Sequence, residues 1–271
     1  MAPSPGEVRR FLEEARAAAH EAGRIQLASY GKPVEVLHKG VINLVTEVDH
    51  ACEEAIVGRL REAFPDHAIL AEEGRLAAAR SDFRWIVDPL DGTTNYAHGY
   101  PKFCVSIALE HRGRVLLGVV FDPVLGEEFG AVRGEGATLN GRPIHVSARQ
   151  DLLQALLSTG FAYDIRENPD NNVDYFTAFI MAAQAVRRDG AAALDLCYTA
   201  MGRFDGFWEL QLKPWDVAAG GLIVREAGGR VTDFEGRDTE AEGARIVASN
   251  GRLHDALLEV IRKVGAARGP G

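Results

Sequence analysis

The sequence predicts two α/β halves joined near residues 145–155, each built from apolar strands and amphipathic helices. Three observations carry that prediction. The 271 residues are 46% hydrophobic, enough for a large core in one big domain or two intimately joined halves. Near residue 150 the pattern changes from a run of strands to strands alternating with helices. No long linker, repeat or low-complexity segment intervenes, so the halves are assigned to 1–150 and 151–271.

The elements follow in order. Ser4-Pro5-Gly6-Glu7 is a capping box with proline at the first helical position. Val8, Phe11, Leu12, Ala15, Ala18, Ala19, Ala22 and Ile25 mark one face of a helix that stops before Gly31 and Pro33. A second helix begins at Thr46, carries Asp49 in its first turn, and runs over Cys52, Ile56 and Leu60 to Pro65. Strands are predicted over Ala68 to Ala71, Arg84 to Val87, Phe103 to Glu110, Val115 to Phe121 and Glu127 to Val132. Asn140-Gly141 signals a tight hairpin turn. In the second half the strands are Leu156 to Gly160, Ala185 to Arg188, Phe204 to Leu210, Arg230 to Thr232 and Arg245 to Ser249. The helices cover Val173 to Ala183, Ala191 to Gly202, Val217 to Ala227 and Arg252 to Val264, with a frayed Gly/Ala tail behind.

Composition narrows the function. A net charge of −9 argues against nucleic acid as a bulk partner. Cys52, Cys104 and Cys197 are odd in number and far apart, with no zinc spacing, which predicts reduced thiols in a cytoplasmic protein. No run of about 18 apolar residues could span a bilayer, and the N-terminus lacks an apolar signal region. A soluble protein with no membrane partner is expected.

The most informative stretch is Trp85-Ile86-Val87-Asp88-Pro89-Leu90-Asp91-Gly92-Thr93-Thr94. Two carboxylates at ~5 Å repel by about 3 kcal/mol at an effective dielectric near 20. A fold keeps such a pair cheaply when protons or cations sit between the charges. Pro89 forbids a regular ladder and bends the chain, so both aspartates can face one cleft while the Leu90 carbonyl becomes a neutral ligand. An isolated Asp-x-x-Asp-Gly can equally be a turn whose aspartates cap it. Gly92-Thr93-Thr94 adds a loop and helix start able to hold phosphate, although an ordinary threonine N-cap has the same form.

Three further acidic positions stand apart in sequence. Glu72 and Glu73 follow a strand, and alternation lets only one of them enter the cleft; a solvated edge would read the same way. Asp216, in Lys213-Pro214-Trp215-Asp216, begins a helix, where an N-cap and a metal ligand are both open readings. Asp49 in a first turn has the same ambiguity.

Together these residues form a pattern that resembles the inositol monophosphatase family of the fructose-bisphosphatase-like superfamily, magnesium-dependent and lithium-sensitive phosphatases. Asp88-Pro89-Leu90-Asp91-Gly92-Thr93-Thr94-Asn95 is similar to one family signature. Trp215-Asp216-Val217-Ala218-Ala219-Gly220, with Glu226-Ala227-Gly228-Gly229 behind it, is similar to another. Leu44-Val45-Thr46 leading to Asp49, Ala71-Glu72-Glu73, and Gly190 to Leu196 match further blocks in order, so the likeness spans roughly residues 8 to 262.

The resemblance implies an α+β fold, a layered αβαβα sandwich, usually as a homodimer. It implies two or three Mg2+ per subunit: Glu72, Asp88 and the Leu90 carbonyl on one, Asp88, Asp91 and Asp216 on a second, and a looser third leaning on Glu72. Gly92 and Thr93 amides would hold the phosphate of a small substrate. Thr93, bonded to Asp49, would help deprotonate a metal-activated water. Glu209 would grip a substrate hydroxyl, with Asp91, Gly190, Ala192 and Asp216 in the same pocket. The expected activity is hydrolysis of inositol monophosphate or a similar polyol phosphate. The same chemistry could serve fructose 1,6-bisphosphate, histidinol phosphate, a nucleotide 3'-phosphate or NADP, and a non-catalytic regulatory protein on this scaffold is the remaining alternative. Asn43 stands where many relatives have aspartate. Asp189 adds a charge that Arg187, Arg188 and Lys213 could offset, and the Phe161 to Ile165 loop has no clear counterpart.

Overall fold

The computed structural model describes residues 3–32, 36–38, 44–74, 81–242 and 244–268, so the reading of Asn43 lies outside the described residues. Helix α1 (Pro5–Ser29) opens on the expected box, with the Ser4 amide donating to Glu7 Oε2 at 2.8 Å. A short antiparallel pair that sequence did not predict, β1 (Val36–His38) and β2 (Leu44–Thr46), leads into α2 (Glu47–Ala63). Thr46 and Asp49 close a second capping box there.

The first half continues as β3 (Ala68–Ala71), β4 (Phe83–Asp91), the short α3 (Thr93–Ala97), β5 (Cys104–His111), β6 (Arg114–Asp122), β7 (Glu127–Val132), β8 (Gly136–Leu139) and β9 (Arg142–Pro143). β3 to β9 form one seven-stranded sheet in sequence order, parallel at β3/β4 and antiparallel beyond. Asn140 and Gly141 turn the β8–β9 hairpin with φ of 49° and 75°, the left-handed pair expected for such a turn.

The second half holds β10 (Leu156–Thr159), α4 (Val173–Ala182), β11 (Ala185–Arg187), α5 (Ala192–Ala200), β12 (Gly206–Leu210), α6 (Pro214–Glu226), β13 (Arg230–Thr232), β14 (Arg245–Ser249) and α7 (His254–Arg268). Its five-stranded sheet has the order β11-β10-β12-β14-β13.

The layers are α1 and α2, the seven-stranded sheet, α5 and α6, the five-stranded sheet, then α4 and α7: the αβαβα sandwich. Both faces of the large sheet are covered, so its central strands are almost continuously apolar. Trp85, Val87, Ile107 and Val119 face α1 and α2, while Ile86, Ala108 and Val120 face α5 and α6. Each large side chain buried this way contributes about 1.5–3 kcal/mol. The middle core draws on both halves of the chain, joining Ile86 and Val120 to Leu196, Phe207 and Ile223. α6 lies directly on the sheet backbone: a Cβ at Gly118 would stand 2.7 Å from Ala219 Cα.

Several boundaries differ from expectation for identifiable reasons. β4 does not stop at Val87 but runs through Pro89 to Asp91, with a register shift against β5 between Asp88 and Asp91. The bulge is held by Gln26 of α1, whose buried side chain donates to the Pro89 carbonyl at 2.8 Å. Phe204 is not in β12, because its amide is spent on the Tyr198 carbonyl at 3.1 Å. α7 continues past Val264 to Arg268, whose guanidinium reaches Asp174 and the Asn171 carbonyl.

Candidate active site

Backbone pairing brings the acids together. Glu72 follows β3, and its amide donates to the Val87 carbonyl at 3.2 Å, carrying the parallel ladder one step past the strand. Asp88 pairs with Ser106 across β4/β5, and the Ser106 hydroxyl donates to the Trp215 carbonyl at 3.2 Å. That bond docks the start of α6 beside Asp88 and so delivers Asp216. Pro214 occupies a first-turn position of α6, which therefore starts earlier than expected. Asp216 thus lies inside the first turn, where it accepts from the Lys213 amide at 2.6 Å. Glu72, Asp88, Asp91 and Asp216 line one cavity of about 450 Å³. Glu73 does not line it; its amide donates to Glu53 at 2.9 Å.

The loop after β4 forms the cavity floor. Gly92 adopts φ 96°, and a Cβ there would meet the Lys102 carbonyl at 2.7 Å, so only glycine fits. Gly92 rather than a threonine caps α3, leaving the Thr93 side chain for other work. Its hydroxyl lies 2.9 Å from Asp49 Oδ1 and 3.1 Å from the Leu90 carbonyl, one proton facing two acceptors. Asp49 is fully buried, with Oδ2 accepting from the Thr46 amide and hydroxyl at 2.8 and 2.5 Å. Thr93, Leu90 and Gly92 line the cavity, and Asp49 sits behind Thr93.

The opposite wall comes from the second half. Gly190, Ala191 and Ala192 line it at the start of α5, and the Ala193 amide donates to Asp91 Oδ2 at 2.7 Å. The Cys104 thiol approaches the same oxygen at 3.7 Å. Glu209 projects from β12 on the Phe207 face and is 7% exposed. Arg188 and Lys213 reach the rim, whereas exposed Arg187 turns to the Val186 carbonyl. Asp189 does not line the cavity; its carbonyl accepts from Asn95 at 2.7 Å. Phe161 to Asp164 form part of the roof.

Sequence reasoning missed Gly160, Tyr163 and Asp195 in this lining. A Cβ at Gly160 would stand 2.2 Å from the Glu209 carboxylate, a constraint that only the folded pairing of β10 with β12 creates.

Electrostatics single out the same acids. Burial above all, then the charges of Glu72, Asp91 and Asp216, push the Asp88 carboxyl well above the usual carboxylate range. Asp91 and Asp216 are raised by burial and by neighbouring acids, and Glu209 by burial and then Asp216 and Asp91. Among the described residues no Lys or Arg forms an ion pair with Asp88, Asp91 or Asp216. An all-oxygen, acidic donor set of this kind suits a hard divalent cation. Among the described residues no three such side chains already form a ready-made ligand cluster, so the acids share the cavity without closing on one point.

The chain is similar to known proteins over nearly its whole length. The model of the inositol monophosphatase family matches residues 7–266. The Nus factor SuhB of Pseudomonas aeruginosa is 46% identical, covering 93% of this chain and 96% of its own. The structure of the inositol monophosphatase from Anabaena (Nostoc) sp. PCC 7120 superposes with TM-score 0.87 at 43% identity, over 95% of this chain and 97% of the other. An IMPase/NADP phosphatase complexed with Mg2+ and phosphate superposes with TM-score 0.83 at 25% identity, over 94% and 95% of the two chains.

Proposed function

Because this chain belongs to the inositol monophosphatase family, we propose that it is a magnesium-dependent phosphomonoesterase acting on inositol monophosphate or a similar small polyol phosphate. The observation that carries this reading is the meeting of Glu72, Asp88, Asp91 and Asp216 in one cavity with the Gly92–Thr93 loop. Those four carboxylates and the Leu90 carbonyl would hold two or three ions. Bound magnesium would neutralise the phosphate dianion and acidify water.

The chain's own residues do the rest. The backbone at Gly92 and Thr93 receives the phosphate. The Thr93 hydroxyl holds the attacking water in line, and Asp49 takes up proton charge through Thr93. Glu72, which lines the same cavity, adds a second acceptor for that proton. Glu209 accepts a hydroxyl of the leaving alcohol, with Gly190 and Ala192 giving it room. A homodimer, a cytoplasmic location and inhibition by lithium belong to the same proposal. Among the described residues no helix is long and apolar enough to cross a membrane.

The relative called a Nus factor favours a second reading, a regulatory role with or without catalysis. The retained acids support catalysis in either case. Phosphate release with and without Mg2+, for wild type against Asp91→Asn, separates the two: equal activity in both proteins would sink the enzyme reading. A panel of inositol 1-phosphate, fructose 1,6-bisphosphate, histidinol phosphate, a nucleotide 3'-phosphate and NADP, ranked by kcat/KM, selects the substrate.

A further inference from the structure

Resting on the phosphatase reading, we propose that Asp195 is a specificity-determining residue: with Glu209 it reads adjacent hydroxyls of a neutral polyol at the far end of the cavity. Asp195 lies in the first turn of α5, lines the cavity and is 2% exposed. Its Oδ1 is buried without any hydrogen-bond partner. Leaving such an acceptor unsatisfied costs about 1–3 kcal/mol, so a core residue used only for packing would be apolar. Beside it, Glu209 occupies space kept open by Gly160, whose missing Cβ would stand 2.2 Å from the Glu209 carboxylate. The far end of the cavity is therefore shaped around two acids.

The two acids are not equivalent. The Arg188 guanidinium, lying across Gly190, faces Glu209 and opposes the pull of Asp216 and Asp91 on it. Asp195 faces Asp189, Glu209 and Asp91, with Lys102 opposing them. The Lys102 ammonium is engaged elsewhere, on the Tyr198 hydroxyl at 2.6 Å. Burial and neighbouring acids push both carboxyls well above the usual carboxylate range, so the pair shares a proton, one carboxyl donating while the other accepts. A hydroxyl both gives and takes a hydrogen bond, so neighbouring hydroxyls satisfy this pair. A second phosphate would meet the negative charge that the pair retains and be repelled.

The test compares kcat/KM for myo-inositol 1-phosphate and para-nitrophenyl phosphate, an ester without hydroxyls at that end, in the Mg2+-loaded full-length protein. Asp195→Ala is expected to lower the polyol-to-aryl ratio at least about ten-fold, mainly through KM for the polyol ester. Asp195→Asn, whose amide can donate and accept, is expected to hold the ratio within about three-fold of wild type. Asp195→Leu, which keeps the branching of the side chain and removes both oxygens, repeats the reading if the alanine variant does not fold. A ratio unchanged in Asp195→Ala or Asp195→Leu, with both esters slowed alike, means a structural role and overturns the inference alone. A wild type that releases phosphate from neither ester overturns the phosphatase reading and this inference with it.

Discussion

Thr93 Oγ1 lies 2.9 Å from Asp49 Oδ1, although the two residues are 44 positions apart and on different elements. Asp49 spends its other oxygen on Thr46, so its orientation is set before any substrate arrives. In the proposed mechanism this pair holds a proton acceptor still.

Thr93→Val, which keeps the shape and removes the hydroxyl, should lower kcat by about 10²–10⁴-fold and change KM little. Asp49→Asn should act in the same direction, because Thr93 then loses its charged acceptor. Steady-state kinetics check this; a Thr93→Val enzyme with wild-type kcat would contradict the assigned role.

Mg2+ should stabilise the fold by relieving repulsion among Asp88, Asp91 and Asp216. At a hundred-fold excess over Kd, linkage gives about 2.7 kcal/mol, or roughly 5–10 °C in Tm for a chain of this size. Differential scanning fluorimetry after chelation and Mg2+ return would read it. Asp91→Asn should shrink the shift, and a shift identical to wild type would place the ion elsewhere.

Gly160→Ala should drive a methyl group into the Glu209 carboxylate. Overpacking of this kind costs about 1–3 kcal/mol, and displacement of Glu209 should raise KM for a polyol phosphate by about ten-fold. Thermal melts and kinetics on the same preparation separate the two effects. A variant matching wild type in both would show that Glu209 can move aside freely.

Stability should fall on acidification through His254. The ring is fully buried between the Thr232 and Ser249 hydroxyls, 2.9 Å from each, and burial lowers its pKa from 6.5 to about 4. The unfolded chain therefore binds a proton below about 6.5 that the folded chain refuses. The contribution is complete above pH 6.5 and is lost as pH falls towards 4, about 3 kcal/mol in all. His254→Asn should flatten the Tm profile across that window; an unchanged slope would assign the acid sensitivity to other groups.

The gathering of Asp88, Asp91, Gly92 and Thr93 in one cavity was legible because Asp88 to Thr94 is contiguous, so local chemistry alone set two carboxylates beside a glycine and two hydroxyls. Asp216 was ambiguous for a physical reason: the position that faces the cavity also satisfies a helix start, and it does both. The end of β4 was misread because Gln26, 63 positions away from Pro89, holds the bulge that lets the strand continue. Gly160 carries no local signal, and Asp195 stands inside the Gly190 to Leu196 block with nothing to mark it as part of the cavity wall. Their meaning exists only once β10, α5 and β12 surround one cavity.

The seating of Ala219 against Gly118 sets a tolerance for the acid-lined cavity as a whole. With nothing larger than the Ala219 methyl between helix and strand at this point, the main chain itself sets how closely α6, and with it Asp216, approaches the sheet that carries Asp88 and Asp91. One methyl inserted there would act as a shim, spreading the acids from beneath without touching any of them. Variation that silences this protein can therefore arise deep in its interior, at a position no inspection of the reacting groups would flag.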